Sequence, residues 1–429
     1  MTALALHDMN LAWVDPAFEM PDWMRESRQQ HFNALQQQGF PTKKVEQFRY
    51  TDLTRIEQQL SQGTTHHSSS SFQLNDKLTA DSIRFVFRNH VFHPEQSDLH
   101  LLPKGVIACT LQEAILHHEP LLKTVWPSSF DAAKYPFACL NLASFQQGFF
   151  LYVPKNTILN VPLYFMHVTD QTNTASCHEL NLLLLEEGCE LALFEEVRGL
   201  EHSHFHNLTQ VVLLEKNTRL HHVLLQHTHT QALNYRTSQV ALKEGAHTTF
   251  VSCLLGGEFT RHDYTCQLHE PFATCNTSSF YHAQNKQYID NHVEIVHHAH
   301  STTSDMLFKG TLTDQAKVVF NGRLYVEKNA QKIVAHQENH HLLFSNQAES
   351  YAKPELEIYA DDVKCKHGAT TAAFDDDAIF YLRSRGLSED AAKQLLLNAY
   401  VQSILDRVLL PDAFIDHIRL ALEDIAHDL

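Results

Sequence analysis

The 429-residue sequence lacks several features that would assign it to a familiar class. No apolar run approaches the roughly 18 residues that a membrane-spanning helix needs, and residues 1–11 show no secretory signal. There are 33 basic and 50 acidic residues, and the net charge of −17 disfavours binding to nucleic acid or to anionic membranes. The chain has only 13 glycines and no Walker-type loop or nucleophile elbow, so it should not hydrolyse ATP itself. We expect a soluble cytoplasmic protein.

Eight cysteines are present, but no two of them stand in a Cys-x-x-Cys pair. This spacing excludes a zinc ribbon and a ferredoxin-type ligand run. Because we find no secretory signal, a disulfide framework is not expected either. Most of these thiols should be reduced, small and buried.

Residues 1–71 and 375–429 are predicted to be helical. Pro21 and Gly39 stand where proline and glycine are preferred around a helix, and the Ser-rich stretch 61–71 indicates a linker. In the C-terminal part, apolar residues recur with helical spacing at Ala392, Leu395, Leu396, Ala399, Tyr400 and Ile404. This stripe either packs within a small helical cap or leaves one face for a partner protein.

Residues 72–374 carry short apolar runs between polar turns, a pattern typical of strands. One turn pattern recurs, consisting of an apolar residue, two mostly charged residues, Asn or Gly, and a small residue. It occurs at 153–157, 185–189, 214–218 and 242–246. The fourth positions of these turns are separated by 32, 29 and 28 residues, and a unit of about 14 fits all but the first. The repeat predicts a mainly β fold with a β-helix core flanked by helical segments, and two β-sandwiches are the alternative. We expect the core to be a right-handed parallel β-helix.

Histidine is abundant, with 32 residues. Short clusters occur at 202–206, 227–229, 297–300 and 340–341. Residues two apart on a strand point to the same side, so these clusters allow a second interpretation, a metal-dependent β-fold enzyme. No cluster contains the full ligand set at short range, and solvent-facing histidines are the simpler interpretation. A carbohydrate-active β-helix is a third possibility, but the sequence lacks clustered acidic residues and an export signal.

The segment 353–370 combines an alternating strand pattern with a thiol and an imidazole. Val363, Cys365 and His367 share one parity, so Cys365 and His367 should lie side by side. Thiolate and neutral imidazole both bind iron, and Gly368 permits close approach of another backbone. Taken alone, a Cys-x-His pair more often indicates a packed cysteine beside a hydrogen-bonded histidine.

Residues 356–370 read Leu-Glu-Ile-Tyr-Ala-Asp-Asp-Val-Lys-Cys-Lys-His-Gly-Ala-Thr, and residues 380–387 read Phe-Tyr-Leu-Arg-Ser-Arg-Gly-Leu. Together they closely resemble the SufD type of the SufB/SufD family. Further matching segments are 21–23, 39–51 and 153–157. Phe48 stands where the family usually has Trp. Length and three-part layout also agree, so the resemblance covers the whole chain.

The resemblance implies a non-enzymatic scaffold subunit of the SUF iron–sulfur cluster assembly complex. Such a subunit pairs with a SufB-like paralogue and docks a SufC-like ABC-type ATPase. Cys365 and His367 match family positions at the SufB interface, where a transient iron–sulfur cluster would form. The helical region would dock the ATPase, and its candidate residues are Tyr381, Arg385, Leu395, Leu396, Ala399, Tyr400 and Ile404.

No group of four cluster ligands is visible in this chain, so the remaining ligands would have to come from another chain. We therefore expect no stably bound cofactor. The resemblance also implies reduced flavin in the assembled complex, although the sequence has no flavin fingerprint. The open ends of a β-helix further predict that the isolated chain can form a homodimer.

Overall fold

The computed structural model describes residues 19–61, 78, 81–127, 129–169, 176–199, 204–373 and 376–426. Its helices are α1 (Asp22–Gln38), α2 (Thr54–Ser61), α3 (Leu111–His117), α4 (Glu119–Val125), α5 (Pro136–Ser144), α6 (Asp376–Ser384), α7 (Glu389–Leu405) and α8 (Asp412–Ala426). Short 3-10 turns lie at Glu46–Phe48, Pro94–Gln96 and Leu99–Leu101. Most of the stretch predicted to be a linker, 62–71, falls outside the described residues.

The strands up to residue 228 are β1 (Ile83–Arg88), β2 (Val91–Phe92), β3 (Ile107–Thr110), β4 (Gln147–Val153), β5 (Leu163–Thr169), β6 (Ser176–Leu185), β7 (Glu190–Gly199), β8 (Phe205–Leu214) and β9 (Arg219–Thr228). The later strands are β10 (Leu233–Leu242), β11 (His247–Gly256), β12 (Phe259–Leu268), β13 (Thr274–Ala283), β14 (Tyr288–His297), β15 (Thr303–Leu312), β16 (Lys317–Val326), β17 (Ile333–Leu343), β18 (Glu349–Ile358) and β19 (Val363–Ala372).

From β4 onward, successive strands alternate between two sheets, and each strand pairs in parallel with the strand two places along the chain. Even-numbered strands build one sheet, from β4 to β18, and odd-numbered strands build the other, from β5 to β19. Leu233 is in register with Phe205 and with Phe259, so one full turn takes roughly 26 to 28 residues there. The described residues therefore form a parallel β-solenoid with helices at both ends of the chain, which confirms the predicted fold class.

The recurring turn pattern has the backbone that was expected from its residues. Its fourth positions all have positive φ: Asn156 (57°), Gly188 (73°), Asn217 (57°) and Gly245 (65°). Asn and Gly adopt this left-handed conformation at low cost, which explains why those two residue types alternate there. The turns stack above one another, since the Gly188 amide donates to the Lys216 carbonyl.

Helices cover part of each outer face of the solenoid. The N-terminal helices pack on the even-numbered sheet in a cluster that includes Leu182, Phe205 and Tyr235. Helices α7 and α8 pack on the odd-numbered sheet in a second cluster, which includes Val223 and Phe280. Strands β5 and β6 are consequently buried along their whole length, because each has the interior on one side and a helix on the other.

Helices α3, α4 and α5 lie within residues 72–374, for which the sequence predicted strands. Helix α3 begins with a capping box in which Thr110 and Glu113 exchange hydrogen bonds. Helix α5 is buried from Pro136 to Ala143. A helix buried on all sides has no polar face, so it lacks the periodic pattern by which helices are recognised in a sequence.

Candidate functional site

Cys365 and His367 lie on β19, the last strand of the odd-numbered sheet. Their backbone partners on β17 are Ala335 and Gln337, both of which are buried in the solenoid. Cys365 packs against the interior core, and His367 shares its face because side chains alternate along a strand. The two side chains thus point together toward the interior at the C-terminal end of the solenoid.

This terminal coil is far more exposed than the coils before it. Strand β19 contains no buried residue, and His367 is exposed while Cys365 is half-buried. On the opposite face of the strand, a side chain placed at Gly368 would likewise meet no atom within 4 Å. The site therefore faces open space, where another molecule can reach both side chains.

Partial burial raises the pKa of the Cys365 thiol. The thiol is therefore protonated at neutral pH, and binding of a metal ion would have to release that proton. Among the described residues, no Lys, Arg or Asp side chain forms a hydrogen bond or ion pair with Cys365. A cysteine in such surroundings is a poor nucleophile but remains a competent metal ligand.

Strands β18 and β19 end the two sheets, so each has a parallel neighbour on one side only within the described part of the chain. A strand at a sheet edge presents unpaired backbone N–H and C=O groups on its free side. Such an edge can be extended by a strand of another protein. Cys365 and His367 lie on that edge.

The predicted docking residues on the C-terminal helices separate into two sets. Tyr381, Arg385, Leu395 and Ala399 are exposed, and Leu396 is half-buried. Tyr400 and Ile404 instead face the solenoid: the Tyr400 hydroxyl donates to the His340 carbonyl oxygen at 2.6 Å, and Ile404 is fully buried. Both residues hold α7 against the solenoid; Ile404 is not accessible to a partner in this arrangement, and Tyr400 is half-buried.

The stripe that anchors α7 is also different from the predicted one. It consists of Ala392, Leu397, Val401, Ile404 and Leu405, which are buried. Sequence reasoning missed Phe380 as a docking candidate, although it stands beside Tyr381 and its side chain is 74% exposed. The signal in the sequence was the pair of adjacent aromatic residues on this short helix.

Most of the histidine clusters that the structure describes are used for internal hydrogen bonds. His297 bonds through both ring nitrogens to Thr302 and Ser304, and His341 bonds to Tyr281 and Ser350. Burial lowers the pKa of His297 to about 4 and that of His341 to about 3. These imidazoles are neutral structural groups. His202 lies outside the described residues, while His206 belongs to a buried group with His90 and Glu179.

No helix in the described part of the chain is both long and apolar enough to cross a membrane. The described residues form a β-solenoid. Its C-terminal coil exposes the thiol of Cys365 and the imidazole of His367 to other molecules. Residues 17–165 match the SufBD protein N-terminal region, and residues 167–400 match the family described as SUF system FeS cluster assembly, SufBD core domain. The chain belongs to the SufBD family and is a SufD-like iron–sulfur cluster assembly protein.

Similar proteins extend over most of the chain. The iron–sulfur cluster assembly protein SufD of Escherichia coli is 31% identical over 386 residues, which cover 88% of each chain. A SufBD family protein of Synechocystis is 28% identical over 86% of this chain and 84% of its own length. A SufBD family protein of Staphylococcus saprophyticus is 26% identical over 73% of this chain and 67% of its own.

Proposed function

We propose that this chain is the non-catalytic scaffold subunit of a cytoplasmic complex that also contains a SufB-like paralogue and a SufC-like ABC-type ATPase. The observation that carries the proposal is the exposed terminal coil, where Cys365 and His367 share one face of an edge strand. The resemblance of residues 356–370 to the SufD type gives this coil its expected partner.

The terminal coil supplies too few ligands to hold a cluster alone. An iron–sulfur cluster normally takes four protein ligands, mostly thiolates, and Cys365 with His367 would provide two. Of the seven other cysteines, six are buried, and half-buried Cys109 lies on β3, at the opposite end of the solenoid. A transient cluster at this end would therefore be shared with the partner chain, as cargo and not as a resident cofactor.

The edge strands β18 and β19 offer a way to bind that partner. A paralogue with the same solenoid fold could continue both sheets across the junction through backbone hydrogen bonds. Exposed strands of this kind are usually protected from unwanted pairing by charged residues, and Lys364 and Lys366 are exposed on β19. In the absence of the partner, the same edges would pair two copies of this chain.

We assign binding of the ATPase to the exposed residues of the C-terminal helices. Phe380, Tyr381, Leu387 and Leu395 are large apolar residues that are exposed by 74, 56, 38 and 49%. Aromatic side chains of this kind commonly anchor protein interfaces, and Arg385 lies beside them. The docking surface that we propose consists of these five residues together with Ala399.

Co-expression of the three chains followed by size-exclusion chromatography tests the proposal. We expect all three to elute together, and the isolated chain to elute as a homodimer. Separate elution of the three chains at micromolar concentration would refute the scaffold function. A complex with the ATPase that lacks the paralogue would instead show that the terminal coil is not the partner interface.

A further inference from the structure

Glu179 is a carboxylate inside the β-solenoid. It lies on β6, and side chains at alternate positions of that strand, Leu183 and Leu185, belong to the interior core, so Glu179 points inward as well. Its side chain is 1% exposed. His206 on β8 and His90 in the turn between β1 and β2 approach the same carboxylate oxygen, with ring nitrogens at 3.0 and 3.8 Å.

The charge of Glu179 is not balanced by a permanent cation. Within the described residues, no Lys or Arg forms an ion pair with it. Its carboxylate instead contacts His90 and His206 and accepts a hydrogen bond from the Asn181 amide at 2.7 Å. A buried carboxylate is costly unless it is paired with positive charge or bound to a metal ion. A positive charge beside Glu179 must therefore come from a protonated imidazole or from a bound cation.

A second buried glutamate in the same interior shows the alternative solution. Glu195 also accepts a hydrogen bond from an imidazole, His222, at 2.9 Å, but Arg236 pairs with both of its oxygens. The Glu195 site is neutralised by protein groups alone. Both sites contain a hydrogen bond between a glutamate and a histidine. Among the described residues, the Glu195 site also contains a guanidinium, that of Arg236, and the Glu179 site does not.

The donor atoms around Glu179 have the spacing of a metal site. One ligand atom each from His90, Glu179 and His206 lie within 4.8 Å of one another. Ligands about 2.1 Å from a tetrahedral metal ion lie about 3.4 Å apart, which falls inside that limit. Two imidazoles and one carboxylate form a ligand set that suits Zn²⁺ and Fe²⁺.

A third imidazole lies beside the group. His167 on β5 is 3% exposed, and neither of its ring nitrogens has a hydrogen-bond partner among the described residues. Its ring stacks on Phe87 at 4.2 Å. Burial lowers the pKa of His167, and the charges of Glu179 and Glu195 oppose that shift. The ring therefore lies between the two buried glutamates, with its Nε2 3.7 Å from a Glu195 oxygen. An unsatisfied buried nitrogen is costly, and coordination to a metal ion would satisfy it.

We propose that His90, Glu179 and His206 bind one divalent transition-metal ion, Zn²⁺ or Fe²⁺, inside the solenoid, with His167 completing or orienting the ligand set. This site is separate from Cys365 and His367. Strand β6 is near the N-terminal end of its sheet, whereas β19 ends the other sheet at the opposite end of the solenoid. The proposal does not depend on any partner chain.

Metal titration of the full-length chain tests it. The purified chain is stripped with a chelator and titrated with Zn²⁺ in air, and with Fe²⁺ under anaerobic conditions, against a chromogenic chelator. The background variant carries Cys365→Ser and His367→Ala, so that the terminal coil cannot contribute. We expect about one ion per chain, and binding weakened at least about tenfold by His206→Asn or Glu179→Gln.

His222→Asn is the matched control, since it removes the same imidazole–glutamate contact where Arg236 already neutralises the carboxylate. It should leave metal affinity unchanged. If neither ion binds, or if His206→Asn binds as tightly as the background variant, the internal metal site does not exist. Should the variants fail to fold, anomalous diffraction from metal-soaked crystals of the unmodified chain decides: a peak between His90 and His206 supports the site, and peaks only elsewhere refute it.

Discussion

Arg236 donates two hydrogen bonds, each 2.7 Å long, to the two carboxylate oxygens of Glu195 inside the solenoid. Burial alone would raise the pKa of Glu195, but the Arg236 charge and the His222 hydrogen bond hold it well below its usual range. Removing the guanidinium would leave a buried charge without compensation. We predict that Arg236→Met lowers the free energy of unfolding by about 3–5 kcal/mol, measured by urea denaturation.

The control for that prediction is an exposed pair with a similar geometry. Arg55 donates to both carboxylate oxygens of Glu258, but its side chain is 56% exposed. Arg55→Met should cost no more than about 1 kcal/mol. Equal losses for the two variants would show that the interior pair is no more important than a surface one.

The attachment of the C-terminal helices should depend on pH through His221. Its Nε2 accepts a hydrogen bond from the Leu409 backbone amide at 2.8 Å, which requires the neutral ring. Burial, followed by the charges of His222 and His247, lowers the pKa of His221 to about 4 from 6.5. Its contribution is fully present above pH 6.5 and is lost as the pH falls toward 4, up to about 3 kcal/mol.

A variant that accepts the same bond without titrating isolates this effect. His221→Gln should show a smaller loss of unfolding free energy between pH 6.5 and 4 than the unmodified chain, in urea melts at a series of pH values. The other buried histidines contribute equally to both proteins. Identical pH profiles would show that His221 is not protonated on unfolding in this range.

The proposed cluster site predicts an effect on assembly without an effect on folding. Cys365→Ser and His367→Ala should change the unfolding free energy by less than about 1 kcal/mol, because neither side chain is buried. Both should lower the iron and acid-labile sulfide content of the reconstituted complex. The matched control is His336→Ala on β17, an exposed histidine whose nearest carboxylate is Asp305 at 4.0 Å. If His336→Ala lowers the cluster content equally, the effect is not specific to the terminal coil.

The docking surface can be tested by point substitutions on one helix pair. Leu395→Asp on α7 should weaken ATPase binding at least about tenfold, measured by isothermal titration, because it places a charge in the proposed apolar interface. Leu420→Asp on α8 is the matched control, since Leu420 is exposed by 61% outside the proposed surface. ATPase binding that survives Leu395→Asp but not Leu420→Asp would move the interface to α8.

Ile404→Ala separates docking from packing. Ile404 on α7 is fully buried against the solenoid, so its truncation should lower the free energy of unfolding by about 2–5 kcal/mol. ATPase affinity should be unchanged at temperatures where the variant is folded. Deletion of residues 388–429 is a less informative experiment, because it would uncover Val223 and Phe280 on the sheet beneath.

The solenoid itself could be predicted from the sequence because its turns are local. Asn or Gly must occupy the left-handed position, and each turn must be followed by a strand of limited length. Helix α5 could not be predicted, since burial on every side removes its amphipathic pattern. The pairing of His206 with Glu179 was also missed, because these residues are 27 positions apart and only the strand register brings them together.

The sequence by itself determined the repeating coil, the helical ends and the shared face of Cys365 and His367, since all three follow from backbone conformation and from the alternation of side chains along a strand. Tertiary structure alone decided which faces are available. It buries Ile404 and leaves Phe380 exposed, and among the described residues it places Arg236 beside Glu195 but no guanidinium beside Glu179. A local pattern defines two faces of an element, whereas the long-range register determines what each face meets.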